Sequence, residues 1–459
     1  MKRYNAIIIG FGKAGKTLAA EFASRGWSVA IIERSSKMYG GTCINIGCIP
    51  TKTLVHLSKV SEYRRPASFD QYAEEYKKAV KAKNDLTSFL RKVNYEKLNT
   101  KDNVIVYTGE ASFRSPYEIL VKSSKETIQI EGERIFINTG ASTIIPNING
   151  IKGNPYVYTS TSIMELNKLP KRLAIIGGGY VGLEFASMFT GFGSKVTVLE
   201  AGEHFIPRED RDIAAAVKEV LEKKGINIHL NAIVQTIEHD SKKASVIYRD
   251  AITGETTKVN ADAILLATGR RPNTKSLDLE AAGIKTDSRG AIVVDKHLRT
   301  NVENIWAVGD VHGGLQFTYL SLDDYRIIKE ELFGNGHRNL DDRQAIAYSV
   351  FIDPPLSRVG VSEEEALKMG KNIKVARMLS AANPRSRTLG QPEGLLKAVV
   401  DKDTGCILGC TLFCADSSEV INIVSLAVRT GENYTFLRDN IFTHPSMSEA
   451  LNDLFSMIN

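Results

Sequence analysis

The chain runs to 459 residues, enough for about three domains at roughly 150 residues each. Hydrophobic residues make up 43% and charged residues 24%, and the net charge of +6 comes from interspersed acids and bases, which excludes a basic tract gripping nucleic acid or a membrane surface. No apolar run approaches the roughly 18 residues a spanning helix needs, and five cysteines in so long a chain exclude a secreted disulfide framework.

The N-terminal Met1-Lys2-Arg3 precedes an apolar stretch, Ala6 to Ile9, that Gly10 to Lys16 breaks too early for a signal peptide. A cytoplasmic location is therefore expected. The same stretch opens a recognisable unit: a strand Asn5–Ile9, the turn Gly10-Phe11-Gly12-Lys13-Ala14-Gly15, a helix over 16–24, and a strand Ser28–Ile32 ending on Glu33. Strand, GxGxxG, helix, strand and terminal acid form the dinucleotide fingerprint. Gly10, Gly12 and Gly15 permit the tight turn, the approach of backbone to a pyrophosphate, and the packing of helix on strand. The helix end offers N–H groups and positive dipole to the phosphates, and Glu33 is placed to accept from a ribose hydroxyl.

Next comes Gly40-Gly41-Thr42-Cys43-Ile44-Asn45-Ile46-Gly47-Cys48-Ile49-Pro50-Thr51-Lys52. Two cysteines lie five apart with a glycine near each. The spacing predicts a helix over 51–58, with Pro50 in its first turn and Leu54, Leu57 and Val60 on its apolar face. A thiol at a helix N-terminus is shifted toward thiolate, and Lys52 adds positive charge. A zinc half-site is the competing reading, and it lacks two further ligands nearby.

Ile135 to Ala141 reads as a buried strand ending in Thr139-Gly140. A second fingerprint follows: Leu173–Ile176, then Gly177-Gly178-Gly179-Tyr180-Val181-Gly182, a helix over 183–192, and a strand Lys195–Leu199 ending on Glu200. Gly177, Gly179, Gly182 and Glu200 each lie 167 positions after Gly10, Gly12, Gly15 and Glu33. Two complete fingerprints in matched register predict two nucleotide sites, with Tyr180 inside the second. The strand Ala263 to Thr268 ends on Gly269 as Ile135 to Thr139 ends on Gly140, and each end brings backbone near a ligand. Asn304 to Asp310 is a third such strand, and its Gly309-Asp310 end places a carboxylate for a flavin ribityl chain. Cys406, Cys410 and Cys414 read as parts of a buried strand, and no metal site is expected. Near the C-terminus, a helix starting near Ser446 puts Glu449 in its first turn beside His444, a carboxylate-oriented proton donor and acceptor.

These motifs resemble the class I pyridine nucleotide–disulfide oxidoreductases, alongside glutathione reductase, dihydrolipoamide dehydrogenase and mercuric reductase, over the whole chain. The resemblance implies an α/β fold with two Rossmann-like dinucleotide-binding domains and a C-terminal α/β dimerisation domain. It places FAD on the first fingerprint and the nicotinamide nucleotide on the second. It implies a homodimer in which His444 and Glu449 enter the partner's active site. Cys48 becomes the flavin-side thiol and Cys43 the outward, substrate-attacking one; Lys52 and Glu184 pair near the flavin, and Asp310 holds its ribityl region. Gly10 to Thr17, Pro354 to Gly360, Gly314 to Arg326 and His444 to Glu449 further resemble the bacterial reactive-chlorine resistance flavoproteins. That resemblance implies a small oxidant as substrate, hypothiocyanous acid first and cupric ion second.

The expected domain order is 1–149 for FAD, 150–273 for the nicotinamide nucleotide, 274–342 for the return to the FAD domain, and 343–459 for dimerisation. No C-terminal cysteine pair of mercuric-reductase type is present. A dihydrolipoamide dehydrogenase-like enzyme, free or docked in a dehydrogenase complex, stays open because its cysteine motif is nearly the same. NADH is the expected nucleotide, with NADPH the alternative. Glu200 can accept from a 2′-hydroxyl and would repel a 2′-phosphate, and the first arginine after it is Arg208.

Overall fold

The apolar run Lys2–Ile9 pairs in parallel with Val29–Glu33 on one side and with Thr127–Ile137 on the other. A strand flanked this way, with helices over the sheet, is covered on both faces, which is why Ile7 and Ile8 are both fully buried. Each such side chain contributes roughly 1.5–3 kcal/mol of burial. The full sheet has seven strands, in the order Val104–Thr108, Val29–Glu33, Lys2–Ile9, Thr127–Ile137, Glu118–Lys122, Glu110–Phe113, with Ile305–Ala307 also paired to Thr127–Ile137. The computed structural model describes residues 1–458, and the chain divides into two units. This sheet belongs to the first, which comprises Met1–Thr53, Ala79–Ile144 and Gly269–Asp342. The helices Lys13–Ser24 and Thr318–Phe333 cover it, with Leu18, Phe22, Ile327 and Ile328 in one core.

The second unit comprises Leu54–Lys78, Ile145–Thr268 and the residues from Arg343 onward. It holds a five-stranded parallel sheet in the order Asn227–His229, Lys195–Leu199, Arg172–Ile176, Ala263–Leu266, Val157–Thr159. A three-stranded antiparallel sheet, Ala232–His239, Ala244–Asp250 and Thr256–Ala261, accompanies it. After residue 343 the chain forms a five-stranded antiparallel sheet from Tyr348–Val350 to Ile407–Phe413. The helices Ser417–Thr430 and Ala450–Ser456 share its core, through Val424 and Leu454 among others. Of the three cysteines expected in a buried strand, only Cys410 lies in the strand Ile407–Phe413; Cys414 follows it and is also buried in that core, and Cys406 precedes it and is half-buried.

Element ends moved most where helices begin. Both fingerprint helices start inside the glycine motif, at Lys13 and Tyr180, because their first turns are made by the glycine loop itself. The helix predicted over 51–58 spans Cys48–Arg64. Its buried positions are Pro50, Thr51, Leu54, Ser58 and Ser61, whereas Leu57 and Val60 are only half-buried. The helix predicted from Ser446 starts at Ala450, so Glu449 sits at its N-cap and not in its first turn. A 31-residue helix, Phe69–Asn99, had no counterpart in the sequence reading; its polar outer face hides the period. Among the described residues no helix is long and apolar enough to cross a membrane.

Candidate active site

The first glycine turn is enclosed by side chains from distant strands and helices. Gly10 has φ +106°, and a Cβ on it would strike the carbonyl of Asn138, so only glycine fits. Asn138 Oδ1 accepts from Gly15 N at 2.9 Å, and its Nδ2 donates to Val308 O at 2.7 Å. Ser321 Oγ accepts from Ala14 N at 3.2 Å. Glu33 is buried and accepts from Phe11 N at 3.2 Å and Ser35 N at 3.2 Å; burial pushes its carboxyl up. Gly41 packs so closely on Gly12 that a Cβ would lie 2.6 Å from its Cα. Thr42 Oγ1 lies 4.0 Å from where a Gly140 Cβ would be, which brings Gly41–Thr42 and Thr139–Gly140 to the same turn. Asp310 opens the short turn Gly309–His312. Burial raises its carboxyl, against the pull of Arg270, whose Nη2 lies 4.0 Å away. Glycines that admit no side chain, facing a helix start and two acids, fit an adenine dinucleotide such as FAD.

The cysteine pair stands beside this turn. Cys43 lies in the short helix Thr42–Asn45, and Cys48 opens the helix Cys48–Arg64. Both thiols are free, and their sulfurs are within hydrogen-bonding reach. Cys48 Sγ also lies 3.3 Å from Thr318 Oγ1, at the first residue of the helix Thr318–Phe333. The hydrogen bond from Cys48 holds the Cys43 thiol well below the usual range, with Thr318 and Lys16 helping, while the same bond and burial push Cys48 up. The helix start at Cys48 favours a thiolate there, but one proton shared by two sulfurs leaves the charge on Cys43. Spacing gave no sign that Thr318 meets Cys48, since 270 residues separate them.

The second turn repeats the backbone of the first. Gly177 has φ +108° and abuts the carbonyl of Ala267. Glu200 accepts from Gly178 N at 2.6 Å and from Gly202 N at 2.8 Å, so the acid that ends the strand also ties down the loop. Gly179 has open space where a Cβ would point. The Tyr180 hydroxyl donates to buried Glu209, which Tyr348 also contacts, and the two tyrosine rings stack with centroids 5.7 Å apart. Glu184 Oε1 accepts from Phe351 N at 2.8 Å. Gly269 was expected to close this nucleotide turn. It belongs instead to the first unit, where its carbonyl accepts from Ile144 N at 2.9 Å, and Ala267 and Thr268 take the closing place. Lys52 lies in the first unit, on the helix that Cys48 opens.

His444 Nδ1 lies 2.7 Å from Glu449 Oε2, so the dyad predicted from the sequence is formed. Its ends are unequal: the His444 side chain is 71% exposed and that of Glu449 only 16%. Glu449 Oε1 is buried with no hydrogen-bond partner, and its Oε2 aligns the imidazole. The carboxylate fixes one ring nitrogen and leaves the other facing outward, the arrangement of a proton donor awaiting a reactant.

Residues 4–324 match the family model for pyridine nucleotide-disulphide oxidoreductases, and residues 346–455 match that family's dimerisation domain. The chain is 51% identical to the probable pyridine nucleotide-disulfide oxidoreductase RclA of Escherichia coli K12, covering 100% of both chains. It is 32% identical to a mercuric reductase of Staphylococcus aureus, covering 98% of this chain and 81% of that one. Among solved structures, the Cu(II) complex of the HOCl-induced flavoprotein disulfide reductase RclA from Escherichia coli superposes with a TM-score of 0.93 at 51% identity, covering 100% of both chains.

Proposed function

The chain belongs to the pyridine nucleotide-disulphide oxidoreductase family, and from that premise we propose that it reduces a small oxidant, hypothiocyanous acid, at the Cys43–Cys48 pair. The observation that carries this reading is the pair itself: two free sulfurs in contact, with the Cys43 thiol shifted toward thiolate by its hydrogen bond from Cys48, beside a turn that fits a flavin dinucleotide. Bound in this turn, FAD would supply the two-electron chemistry that links the nicotinamide nucleotide to the cysteine pair. Glu33, the glycines of the first turn, Gly41–Thr42, Asp310 and Lys52 would hold it. Gly177, Gly179, Gly182 and Glu200 would hold NADH.

Cys43 attacks the sulfur of hypothiocyanous acid, a sulfur–sulfur bond forms, and the leaving oxygen takes a proton from His444 of a second copy and departs as water. Cys48 then attacks Cys43, the disulfide closes, and thiocyanate leaves. The sum converts NADH and hypothiocyanous acid to NAD⁺, thiocyanate and water. The exposure of His444 supports a homodimer, because a general acid aimed outward has its reactant outside its own unit. A cytoplasmic location fits a nucleotide-fed reductase. A second reading, cupric ion as electron acceptor, is favoured by the Cu(II) complex of the similar solved structure. The test is steady-state NADH oxidation by the purified holoenzyme with hypothiocyanite, cupric ion, lipoamide and glutathione disulfide in parallel. The expected result is a kcat/KM for hypothiocyanite above the other three by at least tenfold; a higher value for any of them overturns the reading.

A further inference from the structure

Lys16 lies in the first fingerprint helix, one residue past Gly15, and it has no role in the dinucleotide pattern. Its Nζ donates to Asn94 Oδ1 at 2.7 Å and to Gly40 O at 3.3 Å, two neutral oxygens. Gly40 begins the turn that carries Cys43 three residues later, so these bonds hold the ammonium beside that turn. Other cations converge there. Arg91 Nε donates to Asn45 Oδ1 at 2.7 Å, at the far end of the short helix that bears Cys43. Lys13 and Lys97 lie close enough to Lys16 to repel it. Among the described residues none of these four cations has a carboxylate partner. Burial and the repulsion of Lys13 lower the Lys16 pKa to about 8, and Cys43 is what opposes them.

A half-buried cation with neutral hydrogen-bond partners is an unsatisfied charge, and it favours any anion that can reach it. We propose that Lys16 builds an anion subsite at Cys43, flanked by Lys13, Arg91 and Lys97, which receives the anionic group of a small oxidant during attack by the sulfur. Pseudohalide and oxyanion groups of a few atoms are the ligand class, and a neutral disulfide gains nothing from the site. The inference deepens the proposed function and rests on Cys43 being the attacking sulfur.

Two alkylating probes of equal reach separate this from a structural role. Iodoacetate is anionic and iodoacetamide neutral; each transfers a carbon to thiolate and expels iodide, so their rate ratio at one pH cancels thiolate fraction. In NADH-reduced holoenzyme, the ratio at Cys43, read by peptide mass, should fall roughly three- to tenfold in Lys16→Met and recover in Lys16→Arg. In the wild type it should shrink as ionic strength rises from 0.01 to about 1 M. An unchanged ratio in an FAD-loaded Lys16→Met overturns the proposal. So does a salt-independent wild-type ratio, which decides the matter even if the variant fails to fold. If Lys16→Met loses FAD with the salt response absent, the lysine serves the cofactor instead. Alkylation at Cys48 in place of Cys43 would refute the sulfur assignment beneath the proposal. Failure with hypothiocyanite alone leaves the ratio, and thus the subsite, standing.

Discussion

The two glycine turns share a backbone and differ in how they are closed. In each, an acid 22 residues along the chain accepts from the turn: Glu33 from Phe11 N, Glu200 from Gly178 N. In each, the first glycine abuts a carbonyl, Asn138 in one and Ala267 in the other. The side chains at those two positions part company. Asn138 reaches over its turn and takes Gly15 N, and Ser321 takes Ala14 N. Ala267 has only a methyl, and no side chain among the described residues takes the amides of Val181 or Gly182. The first turn is therefore stitched into its core before any ligand arrives, while the second keeps its helix-end donors free. A stitched turn suits a cofactor that stays, and an open one suits a nucleotide that enters and leaves at every cycle.

Substitutions at the cysteines, at the dyad and in the two turns test this division of labour. The largest effect should come from Cys43→Ser. Oxidant turnover should vanish, while nicotinamide still reduces the flavin in stopped-flow absorbance. Residual thiol-dependent turnover would show that the two halves are not divided at this sulfur. His444→Ala should slow the oxidative half-reaction by roughly 10²- to 10⁴-fold and leave flavin reduction alone. Mixed dimers of His444→Ala with Cys43→Ser should regain activity, because one intact site is rebuilt; no regain would deny that the site is shared.

Glu200→Arg should move the kcat/KM ratio of NADPH to NADH upward by about tenfold or more, as a 2′-phosphate gains a cation and loses a repelling carboxylate. A fixed ratio would mean that Glu200 only ties its loop. Asn138→Ala should make the first turn like the second. Losing its two buried hydrogen bonds should cost about 1–3 kcal/mol in urea unfolding and weaken FAD retention. Ala267→Gly at the equivalent position should change NADH affinity little. The thiol adds a pH arm: alkylation of reduced Cys43 should rise with pH through a midpoint below the ordinary thiol range, since the folded site holds the anion.

Much of this was legible from spacing. The constant offset between fingerprints identified both turns, and the cysteine and histidine motifs named side chains that the structure brings together, Cys43 with Cys48 and His444 with Glu449. What stayed hidden were the residues that finish those turns. Asn138 meets Gly15 across 123 positions, Ser321 meets Ala14 across 307, and Thr318 meets Cys48 across 270. Such contacts carry no period, and a single asparagine or threonine looks like any other until the sheet brings it close. The acid at a strand end showed the opposite limit. Its type and place were clear, but not that its oxygens would bond their own loop. The placement of charge on Cys43 was unreadable for a similar reason, because it is a property of two sulfurs in contact and not of either one.

The burial of Cys410 and Cys414 bears on durability. Both sit in the C-terminal sheet core, where burial pushes their thiols up and keeps them as unreactive SH groups. The fold thus withholds two of the chain's five thiols from solvent oxidants. Under the proposed function, oxidation falls first on Cys43 and Cys48, where a disulfide is a normal station of the cycle and each turnover erases it. Wear is channelled to the part that renews itself.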